Sequence, residues 1–403
     1  MRILVIHNRY QQAGGEDVVV RAETSLLRSK GHEVQIFQEN NDGIATWSDA
    51  VKTTLQCVYS YSAARDVRKL IDEFEPDLAH IHNFFPRVSP SVHYACHEAK
   101  IPVVQTLHNY RLLCPASTFL RDGKVCEDCL GKTISWPAVQ HSCYRKNKFA
   151  SAAMVNMLAI HRVLRTWRRT VTRFIVPTQF ARAKFVEGGL PEERIVVKPN
   201  FVAPDPGMGR GNGGYVLFVG RLSEEKGLGT LLAAWSQIST SVRLKIVGDG
   251  PLAGTVERTS ATEPGVEWLG ARSREEVSGL MADAALLVFP SICYETFGLT
   301  VIEALATGLP VLASRLGAMT ELVSDGETGK LFTAGSCGEL AAAIDWAHSH
   351  PGHLKAMRSR ARHEFELKYT AELNYASLMD VYESSLSTYA PYSSAENVSF
   401  DVV

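Results

Sequence analysis

Two glutamates eight positions apart, Glu295 and Glu303, sit in an otherwise apolar stretch running from Phe289 to Val311. Burying an acid is costly unless something binds it, so this pair points to ligand recognition rather than to a solvated helix face. A strand ends near Phe289 and Glu295 falls in the turn after it. Phe297, Gly298 and Leu299 then open a helix that Gly308 and Pro310 stop. The free N–H groups at such a helix start form an anion site. The two carboxylates are at most about 12 Å apart along a helical path. That span suits two hydroxylated groups flanking a diphosphate, a hexose at one end and a ribose at the other, since carboxylates accept from sugar hydroxyls.

A second constellation is Gly220-Arg221-Leu222-Ser223-Glu224-Glu225-Lys226-Gly227, placed just after a strand. Arg221 and Lys226 can neutralise a diphosphate, the first as a fork and the second as a point charge. A leaving diphosphate gains negative charge, so fixed cations and a helix start stabilise the transition state more than the ground state. Such an arrangement replaces a metal ion. No Asp-x-Asp pair is placed to hold one, and no catalytic metal is expected. Gly14-Gly15 with Glu16 follows the first strand and lets backbone N–H groups approach a phosphate or an acceptor. Gly248-Asp249-Gly250 is a tight turn. It is not a dinucleotide fingerprint, and no Walker A sequence occurs.

The elements that must carry these residues alternate between strand and helix. Ile3–Ile6, Val34–Phe37, Leu78–Ile81, Pro102–Leu107, Phe174–Val176 and Ile195–Val197 are strand candidates in the first half. Helices are expected between them, one capped by Ser62 and another running from Ala150 to Thr172. From Ala203 to Gly214 the composition is that of a linker, with proline and glycine and little to bury. Tyr215–Val219, Leu244–Val247, Leu286–Phe289 and Pro310–Ala313 restart the alternation. The fold class is therefore α/β, with two Rossmann-like doubly wound domains facing a central cleft. The expected division is 1–203, a linker at 204–214, a second domain at 215–370, a terminal helix at 371–388 and a polar tail at 389–403.

These motifs, in this order, resemble the family 4 retaining glycosyltransferases of the GT-B fold, over most of the chain. The family's paired glutamates fall on Glu295 and Glu303, its Gly-Arg…Glu-Lys-Gly element on Gly220 to Gly227, and its N-terminal glycine loop on Gly14 and Gly15. Here Glu16 follows directly, so the loop is one residue shorter than the common form. The resemblance implies that Glu295 contacts the donor sugar, Glu303 the ribose, and Arg221 and Lys226 the phosphates. Gly15, Phe297, Gly298 and Leu299 join them on the donor side. It also implies that His108, at the end of the Val103–Leu107 strand, lines the reacting centre. The catalytic candidates are thus His108 and Glu295, with structural roles expected for His80 and His82. The final helix is implied to cross back onto the first domain.

The expected activity is transfer of a hexose from a UDP- or GDP-sugar to a saccharide or lipid-linked acceptor in polysaccharide or glycolipid synthesis. The alternatives are an NDP-sugar epimerase or hydrolase of the same architecture, or a sugar-nucleotide-binding protein without turnover. No covalent nucleophile stands out, which favours departure and attack on one face of the sugar. Lys plus Arg number 42 and Asp plus Glu 43, so no nucleic-acid partner is indicated. No apolar run reaches the roughly 20 residues of a membrane span, and a cytoplasmic protein is expected. Between Tyr144 and Lys184 lie many cations and no acid. An amphipathic helix there offers a peripheral contact with the inner face of a membrane, against the alternative of a helix packed on its own sheet.

Cys114, Cys126, Cys129 and Cys143 form C-x11-C-x2-C-x13-C. In a reducing compartment that spacing makes a candidate structural zinc site, with buried free thiols or a redox pair as rivals. Similar cysteine-bearing segments occur in a subset of the family the chain resembles.

Overall fold

A computed structural model describes residues 1–9, 14–40 and 56–389. The first half builds a six-stranded parallel sheet from β1 (Arg2–Arg9), β2 (Glu33–Asn40), β3 (Leu78–Asn83), β4 (Val103–Thr106), β7 (Arg173–Val176) and β8 (Ile195–Val197), in the order β2-β1-β3-β4-β7-β8. A two-stranded hairpin, β5 (Leu120–Arg121) and β6 (Lys124–Val125), lies in the segment between β4 and β7. The second half repeats the plan with β9 (Tyr215–Val219), β10 (Arg243–Val247), β11 (Val266–Gly270), β12 (Leu286–Phe289), β13 (Val311–Ser314) and β14 (Gly329–Phe332), ordered β11-β10-β9-β12-β13-β14. Strands buried on both faces read as near-continuous apolar runs, as β12 and β13 do; β3 and β4 are equally shielded but carry His80, His82, Asn83 and Gln105 inside. The order reverses at β1/β3 in one sheet and at β9/β12 in the other, and crevices at such points take ligands.

The terminal helix Ala371–Thr388 packs on the first sheet. Leu378, Val381 and Tyr382 share a core with Ile3, Val5, Val104 and Ile175. Lys30 pairs with Glu372 at 2.7 Å, and Asn374 Nδ2 donates to Pro199 O at 2.8 Å. Residues 390–403 of the expected tail lie outside the described residues.

Three local expectations change. The helix Tyr61–Phe74 is capped by Ser60, whose Oγ accepts from Ala63 N at 3.3 Å, while Ser62 Oγ lies 3.2 Å from Ser60 Oγ. The expected Ala150–Thr172 helix is two helices, Lys148–Val163 and Thr166–Thr170, broken at Arg165 with φ 53°. The break turns Thr166 inward, where its hydroxyl meets His161 Nδ1 at 2.8 Å and Tyr94 OH at 2.6 Å. Met154, Met157, Leu158, Trp167 and Val171 all enter the first domain's core, so this apolar face is spent on packing. The glycine-rich connection is pinned rather than loose. Gly209 N and Gly211 N donate to Thr307 O and Ala282 O, each at 2.9 Å, and a Cβ on Gly209 would sit 2.3 Å from Ala282 O. Its glycines serve close approach.

Candidate active site

The loop leaving β9 and the turn leaving β12 meet at the second switch point. Ile292 N donates to Glu225 O at 3.0 Å, and Ser291 Oγ lies at the same distance from it. Gly227 has φ +70°, and a Cβ there would fall 1.8 Å from Pro290 O. Only glycine lets these two loops touch, and their contact sets Lys226 beside Glu295.

Lys226 Nζ donates to Glu295 Oε1 at 2.7 Å, and Ser291 Oγ donates to the same oxygen at 2.8 Å. Burial pulls the Lys226 pKa down, but the adjacent Glu295 carboxylate outweighs it and the net shift is upward. The ammonium therefore stays charged at neutral pH. Glu295 Oε2 accepts no hydrogen bond among the described residues. Arg221 is exposed, and its guanidinium makes no hydrogen bond or ion pair among them either. Glu303 stands in the helix Leu299–Ala306, with Arg274 Nη2 at 3.4 Å. Burial raises its pKa and Arg274 opposes the rise, leaving it above the usual glutamate value. Phe297 is buried against Tyr369, with ring centroids 6.2 Å apart, and Gly298 is the residue before the helix start.

Across the cleft, the helix Gly15–Ser29 begins opposite Leu299: a Cβ on Gly15 would lie 3.8 Å from Leu299 Cδ2. Two helix N-termini thus converge from the two domains, each bringing unpaired N–H groups and a positive dipole end. Asp17 steadies the first of them. Its carboxylate takes Gly14 N at 2.9 Å and faces His7 Nε2 at 2.8 Å. Burial pushes the Asp17 pKa up, yet the bonds from His7 and Gly14 bring it below the ordinary value. Glu16 lies 3.8 Å from His7 Nδ1 and accepts from Asn109 Nδ2 at 3.5 Å.

His108 heads a buried chain. Its Nε2 is 2.9 Å from His82 Nδ1, His82 Nε2 is 3.6 Å from Glu23 Oε2, and Glu23 Oε1 accepts from Lys198 Nζ at 2.7 Å. Burial pushes the His108 pKa down to about 3, so the ring is neutral at physiological pH. His80 sits beside the chain between Tyr382 OH and Thr106 Oγ1, at 2.7 Å from each, and burial lowers its pKa to about 4. Glu23, His80 and His82 bring metal-type ligand atoms within 4.8 Å of one another. The Lys198 ammonium already supplies the cation there.

The Glu295 turn also docks into the first domain. Tyr294 packs between Phe119 and Phe180 at centroid distances of 5.8 and 4.8 Å. Tyr110 OH donates to Glu295 O at 3.2 Å, Thr296 Oγ1 to His108 O at 2.6 Å, and Thr178 Oγ1 to Thr296 O at 3.0 Å. Reading the sequence missed Arg274, Ser291, Tyr294, Thr296 and Glu23. Only Arg274 had a usable signal, the Ser273…Glu276 capping box that fixes where its helix starts. A crevice of about 590 Å³ lies elsewhere, between Met208–Asn212 and Ile344–Ser359. It opens beside Val216, Val242 and Leu286, at the amino ends of the strands, opposite the end that takes ligands in such sheets. Cys114, Cys126, Cys129 and Cys143 are free thiols lining one cavity of about 20 Å³.

Residues 13–206 match the family described as Glycosyltransferase Family 4, and residues 213–350 the one described as Glycosyl transferases group 1. Between them the two matches take in most of the chain, so both of its halves are similar to glycosyltransferases. An uncharacterised glycosyltransferase of Methanocaldococcus jannaschii is 29% identical over 206 residues, 50% of this chain and 58% of the relative. A phosphatidyl-myo-inositol mannosyltransferase of Mycobacterium leprae is 32% identical over 197 residues, 45% of this chain and 51% of the relative. The chain thus spans about half the length of these curated relatives. The Anabaena protein HepE, solved in complex with UDP, shares the fold with a TM-score of 0.68 at 19% identity, covering 95% of this chain and 100% of HepE.

Proposed function

We propose that this chain moves a hexose, with retention at the anomeric carbon, from a UDP- or GDP-sugar to a saccharide or lipid-linked acceptor in polysaccharide or glycolipid synthesis. The observation that carries the reading is Glu295. Lys226 and Ser291 hold one of its oxygens, and the other stays free where two helix N-termini converge. The free oxygen accepts a donor-sugar hydroxyl. Arg221, Lys226 and the start of the Leu299–Ala306 helix take the diphosphate, whose charge grows as it leaves. Glu303 accepts from the ribose, with Arg274 positioning it.

The C1–O bond to the diphosphate breaks and the acceptor oxygen bonds C1 on the same face. The acceptor's proton passes to the departing phosphate oxygen. Glu295, tied down at Oε1, is a grasping group in this scheme and not a nucleophile. His108 works as a neutral ring. Glu23 facing His82 Nε2 favours the proton there, so His82 Nδ1 accepts from His108 Nε2–H and His108 keeps Nδ1 as an acceptor. That nitrogen takes a hydrogen bond from a sugar hydroxyl.

UDP in HepE and the phosphoinositide acceptor in the mycobacterial relative's name support the donor and acceptor classes. Exposed Trp136 and Phe149, with the cations Arg145, Lys146 and Lys148, support work at the cytoplasmic face of a membrane. The test is to offer the purified protein UDP-, GDP- and ADP-hexoses with and without acceptor extracts. Release of nucleoside diphosphate and a product retaining the donor's anomeric configuration are expected. Inversion would refute the one-face mechanism, and the absence of both turnover and binding with every donor would refute the activity.

A further inference from the structure

We propose that Cys114, Cys126, Cys129 and Cys143 bind one zinc ion, which braces the first-domain wall against which the Glu295 turn docks. Between β4 and β7, Tyr110, Leu112, Leu113 and Phe119 anchor the chain in the first-domain core, but the stretch from Leu120 to Cys143 has little to fix its shape. Its regular structure up to Gln140 is two two-residue strands and the short helix Trp136–Gln140. Its own apolar cluster is small: Cys129, Ala138 and Val139 with Val155, and Cys143 at the edge. Small modules with so little to bury are commonly held by a metal.

The backbone nonetheless folds so as to gather the four sulfurs. Cys114 ends a turn closed by Cys114 N to Tyr110 O at 2.8 Å, and Cys126 N is tied to Phe119 O at 2.8 Å across the β5–β6 hairpin. Cys143 follows the Trp136–Gln140 helix, with its N bonded to Ala138 O at 3.0 Å. All four side chains then line one cavity of about 20 Å³, whose other walls are Ala116, Leu120, Arg121, Pro137 and Ala138. That space suits a single ion or water, and four thiols among walls that are apolar apart from Arg121 favour a soft cation over water.

No three of the four sulfurs lie within 4.8 Å of one another. Tetrahedral zinc, with Zn–S near 2.3 Å, draws them to about 3.8 Å apart, so the cavity contracts on binding and each thiol releases its proton. The consequence for the site runs through Phe119. It packs against Tyr110 at 5.1 Å and Tyr294 at 5.8 Å, and Tyr110 OH donates to the Glu295 carbonyl.

The first experiment is elemental analysis of protein purified without added metal or chelator. About one zinc per chain is expected, falling to background in the Cys126→Ser/Cys129→Ser variant. Zinc absent from the wild type, or retained in that variant, would overturn the proposal. Because the variant may misfold, the second measurement uses wild-type protein stripped with a chelator and titrated with cobalt(II). Intense thiolate-to-cobalt charge-transfer absorption saturating at one equivalent is expected. Weak absorption typical of oxygen and nitrogen ligands would place the metal elsewhere and overturn it. Neither readout depends on turnover, so this proposal and the assigned activity fail separately.

Discussion

Replacing Glu23 by glutamine keeps the side chain's volume and removes the charge that faces Lys198. Both side chains are 3% exposed and their charged atoms are 2.7 Å apart. Breaking one partner of so buried a pair leaves an uncompensated charge, which costs about 3–5 kcal/mol. That is a large part of the roughly 5–15 kcal/mol that holds a typical domain together. Lys198→Met should cost a similar amount, for the mirror reason. The double variant carries no buried charge at this point, so its loss should fall short of the sum of the singles by about 2 kcal/mol or more. Urea denaturation of the four proteins gives the cycle directly. If the two single losses simply add, the pair is not the coupled unit described here, and the ordering of His82 and His108 through Glu23 falls with it.

Acid should destabilise the fold well above the carboxylate range. His80 and His93 are held at about 4 by burial, against roughly 6.5 when unfolded. The unfolded chain therefore binds more protons, and stability falls as pH drops from about 6.5 to 4. The loss is about 2 kcal/mol per histidine between pH 7 and 5. Equal urea midpoints at those two pH values would contradict it. Gly227→Ala should lower the melting temperature and abolish turnover, because its Cβ meets Pro290 O at 1.8 Å and φ is +70°. Gly229→Ala, with open space around it, should do neither; equal effects of the two would refute the loop-contact argument.

The frame of the molecule was legible because buried parallel strands are mostly apolar along their length and glycine or proline punctuates them. β11 and β14 escaped notice for the same physical reason. Each is diluted by a charged residue, exposed Glu267 in one and half-buried Lys330 in the other. The break at Arg165 was invisible because Thr166 is drawn inward by His161 and Tyr94, partners that only the tertiary fold supplies. In the site, Glu295 and Lys226 could be assigned to one donor site in advance through their motifs, though not to each other; the structure sets them 2.7 Å apart. What spacing could not reveal is the cross-domain chemistry. Tyr294 and Thr296 lie far from Tyr110 in sequence and carry no local signature, yet the three lock the Glu295 turn against the first domain.

The most direct test of the central claim is the rate of hexose transfer by Glu295→Gln and Lys226→Met, measured on the preferred donor beside the unmodified protein. If these two residues grip the sugar and the departing diphosphate, each variant should lose roughly 100-fold or more in kcat while melting within a few degrees of the parent. Turnover within about threefold of the parent in either variant would contradict the assignment.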